Sequence, residues 1–312
     1  MPREAIAAVL AGMLGATMFQ SSLVGMPAGK LLAIVSALPL FVTGLGFGAS
    51  KAALAGLTGG VLLLAMNSVM AVSFILVDVL PAVFVARQGL RVLAGPDGTV
   101  GWMTPGRILG GLAALALGML AVLAMEAPSH TQGLEGLIRE ELQRQLSRGW
   151  PEGGEEPGAW AAAFAPLLPG ATMNMWVLRA VALAALAQWG LERLGRNLRP
   201  TPRYIEVMLP HWVVGMFMAV AGPALVMGGD AGYIARNGAL VLSLPLFLQG
   251  LAAVHAEARR TKGPSLLLGA FYVTYLLSTW GYVAVVGLGF VEHIVKRRRP
   301  AAAGGGSGRE EE

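Results

Sequence analysis

Two ionisable side chains stand inside long apolar stretches of this 312-residue sequence. Asp78 lies within the apolar run 74–80, and Arg179 is followed by Ala, Val and Leu. A charge at membrane depth is costly, so such a residue usually faces a charged partner or a water-filled cavity. We expect Asp78 and Arg179 either to pair with each other or to bind a substrate, which for Arg179 would be anionic. The alternative is an interfacial position, with a structural partner for Asp78 and with the Arg179 charge extended to the membrane surface.

Two similar motifs supply further candidate residues. Residues 38–45 read Leu-Pro-Leu-Phe-Val-Thr-Gly-Leu, and residues 244–251 read Leu-Pro-Leu-Phe-Leu-Gln-Gly-Leu. Pro and Gly loosen helices, and transporters place binding sites where spanning helices are interrupted. For the amide side chains near these motifs, a hydrogen bond between helices is the alternative role. The candidate substrate-binding residues are Asp78, Arg179, Asn67, Gln249, Pro39, Gly44, Pro245 and Gly250.

The sequence carries no pattern typical of an enzyme. Cysteine is absent, which excludes thiolate metal sites and catalytic cysteines. His-Glu-x-x-His and Gly-x-Ser-x-Gly are also absent, and residues 25–30 lack the glycine spacing of a P-loop. His211, His255 and His293 form no pair at i,i+3 or i,i+4, so we predict neither a metal site nor a cofactor. We therefore expect a protein that is not an enzyme.

The composition is that of a multi-pass membrane protein. Apolar residues make up 55% of the chain and charged residues 13%, and the mean hydropathy is +0.63. A soluble domain normally has about 25% charged residues. The apolar runs predict an all-α transmembrane bundle of ten spans, and the alternative of one tilted helix over 264–295 gives nine. The ten spans are 5–23, 31–48, two in 52–86, 108–125, 173–191, 211–227, 236–256 and two in 264–295, the last pair turning near 278–281.

Four regions follow from these spans. The first span is predicted to stay uncleaved, with a signal peptide as the alternative. Residues 126–170 carry seven Glu and three Arg and predict an amphipathic helix outside the cytoplasm, because Leu134, Leu137, Ile138, Leu142 and Leu146 share one helical face. The Ala/Gly-rich end predicts disorder. The regions are 1–125 (spans 1–5), 126–170 (outer segment), 171–299 (spans 6–10) and 300–312 (tail).

The charges and the two motifs bear on topology. The net charge of +5 is concentrated beside the apolar spans, notably at 193–203 and 296–299, which is typical of cytoplasmic loops and not of a nucleic-acid-binding surface. Both termini are therefore predicted to be cytoplasmic. The motifs fall in spans 2 and 8, so spans 1–4 and 7–10 could form a parallel repeat with the binding site between them. Chance matching of abundant Leu, Ala and Gly is the alternative.

At residues 37–48 the chain resembles the YybS-like family of bacterial integral membrane proteins of unknown function. The likeness extends loosely over 5–297 and includes residues 249–252 and the basic end 296–299. That family is distantly similar to the substrate-binding subunits of energy-coupling-factor vitamin transporters. The resemblance implies a bacterial inner-membrane location, a small-molecule cavity and a cytoplasmic ATPase or coupling partner. This chain departs from those subunits because it has more spans and an added outer helix.

Two functions are therefore expected from the sequence. The first is a small-molecule transporter or a transporter substrate-binding subunit, in contact with membrane lipid. The alternative is a non-catalytic membrane scaffold of the cell envelope that recruits partners. It is favoured by the basic loops and the outer helix.

Overall fold

The computed structural model describes residues 3–24, 26–94, 100–125, 132–148 and 156–303. The regular secondary structure of these residues is helical apart from one short antiparallel hairpin, which confirms the all-α bundle. The helices are α1 (Arg3–Gln20), α2 (Pro27–Ile34), α3 (Leu38–Phe47), α4 (Ala49–Leu64), α5 (Ser68–Phe74), α6 (Leu80–Gly89), α7 (Pro105–Ala124), α8 (Gly133–Ser147), α9 (Pro157–Phe164), α10 (Leu168–Arg193), α11 (His211–Val226), α12 (Gly229–Ala258), α13 (Pro264–Leu277) and α14 (Gly281–Ala303), and the strands are β1 (Val92–Ala94) and β2 (Val100–Trp102).

Five helical segments among the described residues are long and apolar enough to cross a membrane. Residues 49–64, 211–226, 264–277 and 281–295 are shorter apolar helices. The region 264–295 forms two helices separated at 278–280, as predicted for the last hairpin. The five longer segments are Pro27–Phe47, Ser68–Gly89, Pro105–Ala124, Pro157–Arg193 and Gly229–Ala258.

The chain divides into two compact units; two of the three boundaries fall inside α7 and α10, and the third lies between residues 202 and 203. Unit 1 comprises Met1–Leu112 and Met175–Pro202. Its centre is the packing of α1 on α4, where Gly12 allows two backbones to meet: a Cβ at this position would lie 2.1 Å from the carbonyl oxygen of Ala55. Small residues permit such an approach between membrane helices, where lipid supplies no hydrophobic drive for association.

Two helical interruptions in unit 1 follow from prolines. Pro39 has no N–H for the carbonyl of Val35, and the chain breaks between α2 and α3 at 35–37. Pro81 likewise offers no N–H to the carbonyl of Val77, and the turn Ile75–Val79 between α5 and α6 is wound as π-helix. At each of these two places in unit 1, one backbone carbonyl therefore lacks the N–H group that the residue four positions later donates in a regular α-helix.

Unit 2 comprises Ala113–Asn174 and Arg203–Glu312, and α12 is its central helix. Helices α11 and α14 pack along α12. A Cβ at Gly289 would lie 1.9 Å from the carbonyl oxygen of Leu246, and a Cβ at Gly250 would lie 2.2 Å from that of Val285. The crossing of α12 and α14 therefore depends on glycine in both helices. Helix α13 differs, since it has no buried side chain.

The amphipathic helix predicted within 126–170 is present as α8. Leu134 is buried, and the other four residues of the predicted apolar face are half-buried. The Asp230 carboxylate of α12 accepts a hydrogen bond from the Leu134 N–H at 2.8 Å, at the start of α8. Arg236 contacts Glu135 at 3.4 Å. Side chains of α12 therefore anchor α8 within unit 2.

Some sequence expectations differ from the structure. Strands β1 and β2 lie in a region predicted to be a loop, and its residues 95–99 lie outside the described residues. Helix α14 continues to Ala303, into the predicted disordered tail, of which 304–312 are not described. Pro245 does not interrupt span 8, unlike Pro39 in the first motif, because α12 continues through it as one helix. The proposed repeat partners also pack differently: α1 lies mainly on α4, whereas α11 lies mainly on α12.

Candidate functional site

The predicted pairing of Asp78 and Arg179 is present in unit 1. Arg179 Nη1 donates to Asp78 Oδ1 at 2.7 Å. The Asp78 side chain is 0% exposed and that of Arg179 is 17% exposed. Asp78 lies in the π-helical turn and Arg179 lies on α10, so the ion pair joins segments that are 101 residues apart.

Arg179 uses all of its hydrogen-bond donors within unit 1. A guanidinium has five N–H groups in a planar fork. In addition to Asp78, these groups donate to Ser36 Oγ at 3.0 Å and to three backbone carbonyls. No donor of Arg179 remains for an anionic substrate in this conformation. The carbonyls are those of Ile34 at 2.6 Å, Ala33 at 3.2 Å and Val77 at 3.3 Å.

The two prolines explain why a cation fits here. The break before α3 leaves the carbonyls of Ala33 and Ile34 at the end of α2, and Pro81 removes the helical donor of Val77. A buried carbonyl without a donor is destabilising by about 1–3 kcal/mol. Arg179 donates to all three carbonyls, of which that of Ala33 also accepts from the Ser36 N–H at 3.4 Å and that of Val77 also accepts from Trp176 Nε1. In this structure Pro39 contributes by interrupting the helix.

Ser36 and Trp176 complete this cluster, and neither was predicted. Ser36 Oγ also donates to Asp78 Oδ2, and its side chain is 0% exposed. Trp176 Nε1 donates to the Val77 carbonyl at 3.2 Å. The sequence did offer a signal for Ser36. It is a hydroxyl residue three positions before Pro39, and because Pro39 has no N–H the helix must lose a backbone hydrogen bond in this region. We call Ser36, Asp78, Trp176 and Arg179 the Arg179 cluster.

The remaining candidates in unit 1 occupy packing or capping positions. Asn67 caps α5, because its Oδ1 accepts from the N–H groups of Val69 and Met70 at 2.8 and 3.2 Å. A Cβ at Gly44 would lie 2.7 Å from that of Ala86, which explains a glycine between α3 and α6. The structure does not bring either residue into the Arg179 cluster as a hydrogen-bond partner.

The candidates in unit 2 are also engaged by neighbouring helices. Gln249 is 1% exposed, and its Oε1 accepts from the Leu209 N–H at 3.0 Å. Its Nε2 donates to the Gly289 carbonyl at 3.0 Å. Gly250 lies at the α12–α14 crossing, and Pro245 is buried within α12. The alternative role for Gln249, a hydrogen bond between segments, is therefore the one observed.

Two histidines that are distant in sequence come together in unit 2. His211 Nδ1 and His293 Nε2 are 3.1 Å apart, and His255 contacts Tyr272 instead. Among the described residues no group of three or more His, Cys, Asp or Glu could hold a metal ion. The pair itself was missed because its members are 82 residues apart.

A cavity of about 900 Å³ lies in unit 2 among α12, α13 and α14. Its wall includes Phe271, Leu288, Glu257 and Glu292, and none of the predicted site residues lines it. Tyr204 lies next to the wall residue Ile205 and donates to the Leu248 carbonyl at 2.8 Å. Burial, with a smaller contribution from Tyr272, raises the pKa of Tyr204 to about 12, so its phenol is neutral at physiological pH.

A second arginine, the buried Arg199, lies in the segment after α10 at one end of unit 1. Arg199 Nη1 donates to the carbonyls of Gly89 at 2.7 Å and Met103 at 3.4 Å, and its guanidinium lies 5.7 Å from the Trp102 ring. Burial lowers the pKa of Arg199. These bonds connect the end of α6, the β-hairpin and the segment after α10, so Arg199 serves to order that end of the unit.

A family model described as a predicted membrane protein (DUF2232) matches residues 154–292. The match includes Arg179 and residues 249–252 but neither Asp78 nor residues 37–48, and it covers less than half of the chain. The second half is thus similar to predicted membrane proteins, which agrees with its apolar helices. No curated protein and no solved structure matches the chain.

Proposed function

We propose that the chain is a small-molecule transporter, or the substrate-binding subunit of one. The observation that carries this proposal is the Arg179 cluster, a buried ion pair at two interrupted membrane helices. Ionisable groups inside membrane spans mark substrate and ion pathways, and transporters bind at discontinuous helices. The location at the bacterial inner membrane, with both termini in the cytoplasm, belongs to the same proposal.

The cluster as it stands corresponds to a closed state. All five Arg179 donors are occupied, so a substrate or a proton must displace one of them. Protonation of Asp78 or an anion on Arg179 would release the ion pair and expose the carbonyls of α2. A local change at the pair would then be converted into a movement of the helical segments on either side of the two interruptions.

An energy source for the cycle is a further part of the proposal. The sequence has no P-loop. An ATP-driven cycle would therefore take its ATPase from a separate cytoplasmic coupling subunit. Copurification of such a subunit from the native membrane would favour this route, and transport by the chain alone in vesicles would favour an ion gradient.

Cysteine accessibility tests the proposal without a known substrate. The chain has no cysteine, so single substitutions report one position each. Ala82 is 0% exposed and lies one helical turn after Asp78, and Ala37 is 0% exposed and adjoins Ser36. We expect Ala82→Cys and Ala37→Cys to react in native membranes with membrane-impermeant thiol reagents, because opening of the cluster admits water.

The matched control is Ala8→Cys, which is also 0% exposed but lies on α1, away from the cluster. It should react at least tenfold more slowly than the two cluster positions. The additional change Asp78→Asn should alter the reaction rates at positions 82 and 37 but not at position 8. Equal protection at all three positions would mean that the ion pair is a permanent structural element, and the proposal would fail.

A further inference from the structure

Arg199 is a buried cation that has no carboxylate partner among the described residues. It is 7% exposed, and its Nε and Nη1 groups donate to the backbone carbonyls of Gly89, Met103 and Pro200. Its Nη2 group has no hydrogen-bond acceptor in the part of the chain that the structure describes. Buried charges are normally paired, and carbonyl dipoles satisfy donors without neutralising the charge. Arg199 therefore retains the capacity to bind an anion.

Arg199 lies at the end of unit 1 where four candidate membrane spans begin or end. A Cβ at Gly89 would lie 3.8 Å from Arg199 Nη1 and 3.7 Å from the Leu45 side chain. A Cβ at Gly46 would lie 3.0 Å from the Leu191 side chain, so α3 and α10 also meet here. The ends of membrane spans lie at the level of the lipid headgroups. The four span ends are Phe47, Gly89, Pro105 and Arg193.

This end of unit 1 carries a large excess of positive charge, since residues 47–51, 87–107 and 192–202 contain seven Lys or Arg and two carboxylates. Of these two, Glu192 accepts from Thr201 Oγ1 at 2.6 Å, and Asp97 lies outside the described residues. Over the described ranges none of the seven cations forms an ion pair. Clusters of about four to eight cations beside membrane spans bind anionic lipid headgroups. Besides Arg199, the cations are the half-buried Lys51 and the exposed Arg87, Arg91, Arg107, Arg193 and Arg196.

Large apolar side chains stand exposed beside these cations. Leu194 and Leu198 are 73% and 50% exposed, and each adjoins an arginine in the sequence. On α10, the Arg193 guanidinium lies 5.0 Å from the ring of Trp189, which is also exposed. Tryptophan is enriched at membrane–water interfaces, and apolar side chains there reach the acyl region. Cations with adjacent apolar groups therefore match a phospholipid, which joins a phosphate to acyl chains, better than a free phosphate or a soluble acidic protein.

We propose that this end of unit 1 binds an anionic phospholipid, with a headgroup phosphate oxygen accepting from Arg199 Nη2 and with Leu194 and Leu198 toward the acyl chains. We call Arg193, Leu194, Arg196, Leu198 and Arg199 the Arg199 site. Hydrogen bonds between a guanidinium and a phosphate are charge-assisted and about twice as strong as neutral ones. A topology signal requires only charge in a loop, and it does not account for a buried guanidinium without a counter-charge.

The Arg199 site is independent of the proposed transport function. It shares no residue with the Arg179 cluster, and a bound lipid at the end of the unit requires no opening of the Asp78–Arg179 pair. Either proposal can therefore fail without the other.

Two lipids with the same acyl chains and different headgroup charge test the site. Dioleoylphosphatidylglycerol is anionic and dioleoylphosphatidylcholine is zwitterionic. Binding of each to the purified full chain in a neutral detergent is measured by native mass spectrometry, which resolves the number of bound lipid molecules. We expect the first phosphatidylglycerol to bind at least tenfold more tightly than the first phosphatidylcholine. Millimolar glycerophosphoglycerol, the same headgroup without acyl chains, should not displace it.

Substitutions then assign the selectivity to the Arg199 site. Arg199→Gln should lower the ratio of the phosphatidylglycerol to the phosphatidylcholine affinity about tenfold, and Arg199→Lys should lower it less, because the charge remains while the planar fork is lost. Since Arg199 also orders this end of the unit, the second variant is Arg193→Gln combined with Arg196→Gln. Both of these side chains are exposed, and the change should lower the ratio about threefold or more.

The matched control is Arg139→Gln combined with Arg144→Gln on α8, which also removes two exposed cations and should leave the affinity ratio unchanged. Circular dichroism of each variant confirms the helical fold. Equal affinity for the two lipids, displacement by the free headgroup, or equal effects of the two double substitutions would each overturn the inference. An Arg199→Gln variant that loses affinity for both lipids by the same factor would show a purely structural role, and would overturn the assignment of Arg199 as a headgroup ligand.

Discussion

Arg179→Gln should be among the most destabilising single substitutions in unit 1. The change leaves the Asp78 carboxylate, which is 0% exposed, without its cation. It also leaves the carbonyls of Ala33 and Ile34 without the Arg179 donors. Breaking a buried ion pair by removing one partner destabilises a fold by about 3–5 kcal/mol. The lost carbonyl bonds place our expectation in the upper half of that range, about 4–5 kcal/mol.

Removing the charge of the carboxylate should destabilise the fold less than removing the guanidinium. Asp78→Asn removes the charge but keeps an oxygen that can accept from Arg179. The guanidinium is 17% exposed and retains three carbonyls and Ser36 as acceptors. We expect the free energy of unfolding to fall by about 2 kcal/mol, which is in the range for the loss of a hydrogen bond to a charged group. The double variant Asp78→Asn, Arg179→Gln should be more stable than the sum of the single changes predicts, because the buried charge is gone.

Reversible unfolding in mixed micelles, monitored by far-ultraviolet circular dichroism as the denaturing detergent is increased, measures these free energies. The control is Arg193→Gln on the same helix, whose guanidinium lies 5.0 Å from the exposed Trp189 ring. Arg193→Gln should lower the free energy of unfolding by about 1 kcal/mol or less. The reasoning is refuted if Arg179→Gln costs no more than Arg193→Gln, or if Asp78→Asn costs more than Arg179→Gln.

Two further predictions concern unit 2. Gly289→Ala should cost about 1–3 kcal/mol in the same unfolding assay, because its methyl group would lie 1.9 Å from a carbonyl oxygen of α12. Gly287→Ala, on the same helix with nothing within 4 Å, should be neutral, and equal effects would contradict this helix crossing. Asp230→Ala removes the acceptor for the first turn of α8 and should speed hydrogen exchange of the α8 amides about fivefold, corresponding to a lost cap of about 1 kcal/mol. Unchanged exchange in α8, with α11 as the internal reference, would show that the cap does not hold the outer helix.

The elements were predictable because membrane helices are specified by local sequence. Apolar runs, terminal cations and the one-faced pattern of α8 each depend on residues within about 20 positions. The pairing of Asp78 with Arg179 could also be anticipated, since two opposite charges in apolar surroundings have few other ways to be stabilised. The β-hairpin was missed because strands of three residues carry too little periodicity to distinguish them from a loop.

The hydrogen-bond partners of Arg179 and Gln249 were less predictable for a physical reason. A hydrogen bond to a backbone carbonyl leaves no trace in the identity of the accepting residue, so the Arg179 bonds to Ala33 and Ile34 could not be read from those residues. Gln249 shows the same limit, since both of its bonds end on backbone groups. What the sequence does record is the proline that removes a donor. Pro81 stands four residues after Val77, whose carbonyl Arg179 binds, whereas Pro39 stands four residues after Val35, whose carbonyl accepts from the Leu38 N–H at 2.9 Å.

The two proline motifs show how similar residues acquire different roles. Before Pro39 the helix breaks, and the cationic Arg179 binds the carbonyls at the break. Near Pro245 the helix continues, and the side chains that bond to its backbone are neutral: Asn174 Nδ2 donates to the Leu240 carbonyl at 2.9 Å, and Ser243 Oγ donates to it at 2.7 Å. A neutral amide needs no counter-charge, whereas a buried guanidinium requires a carboxylate. The first motif therefore requires Asp78 and the second does not, so we expect charge-dependent gating from the first motif alone, whether or not the two motifs share an origin.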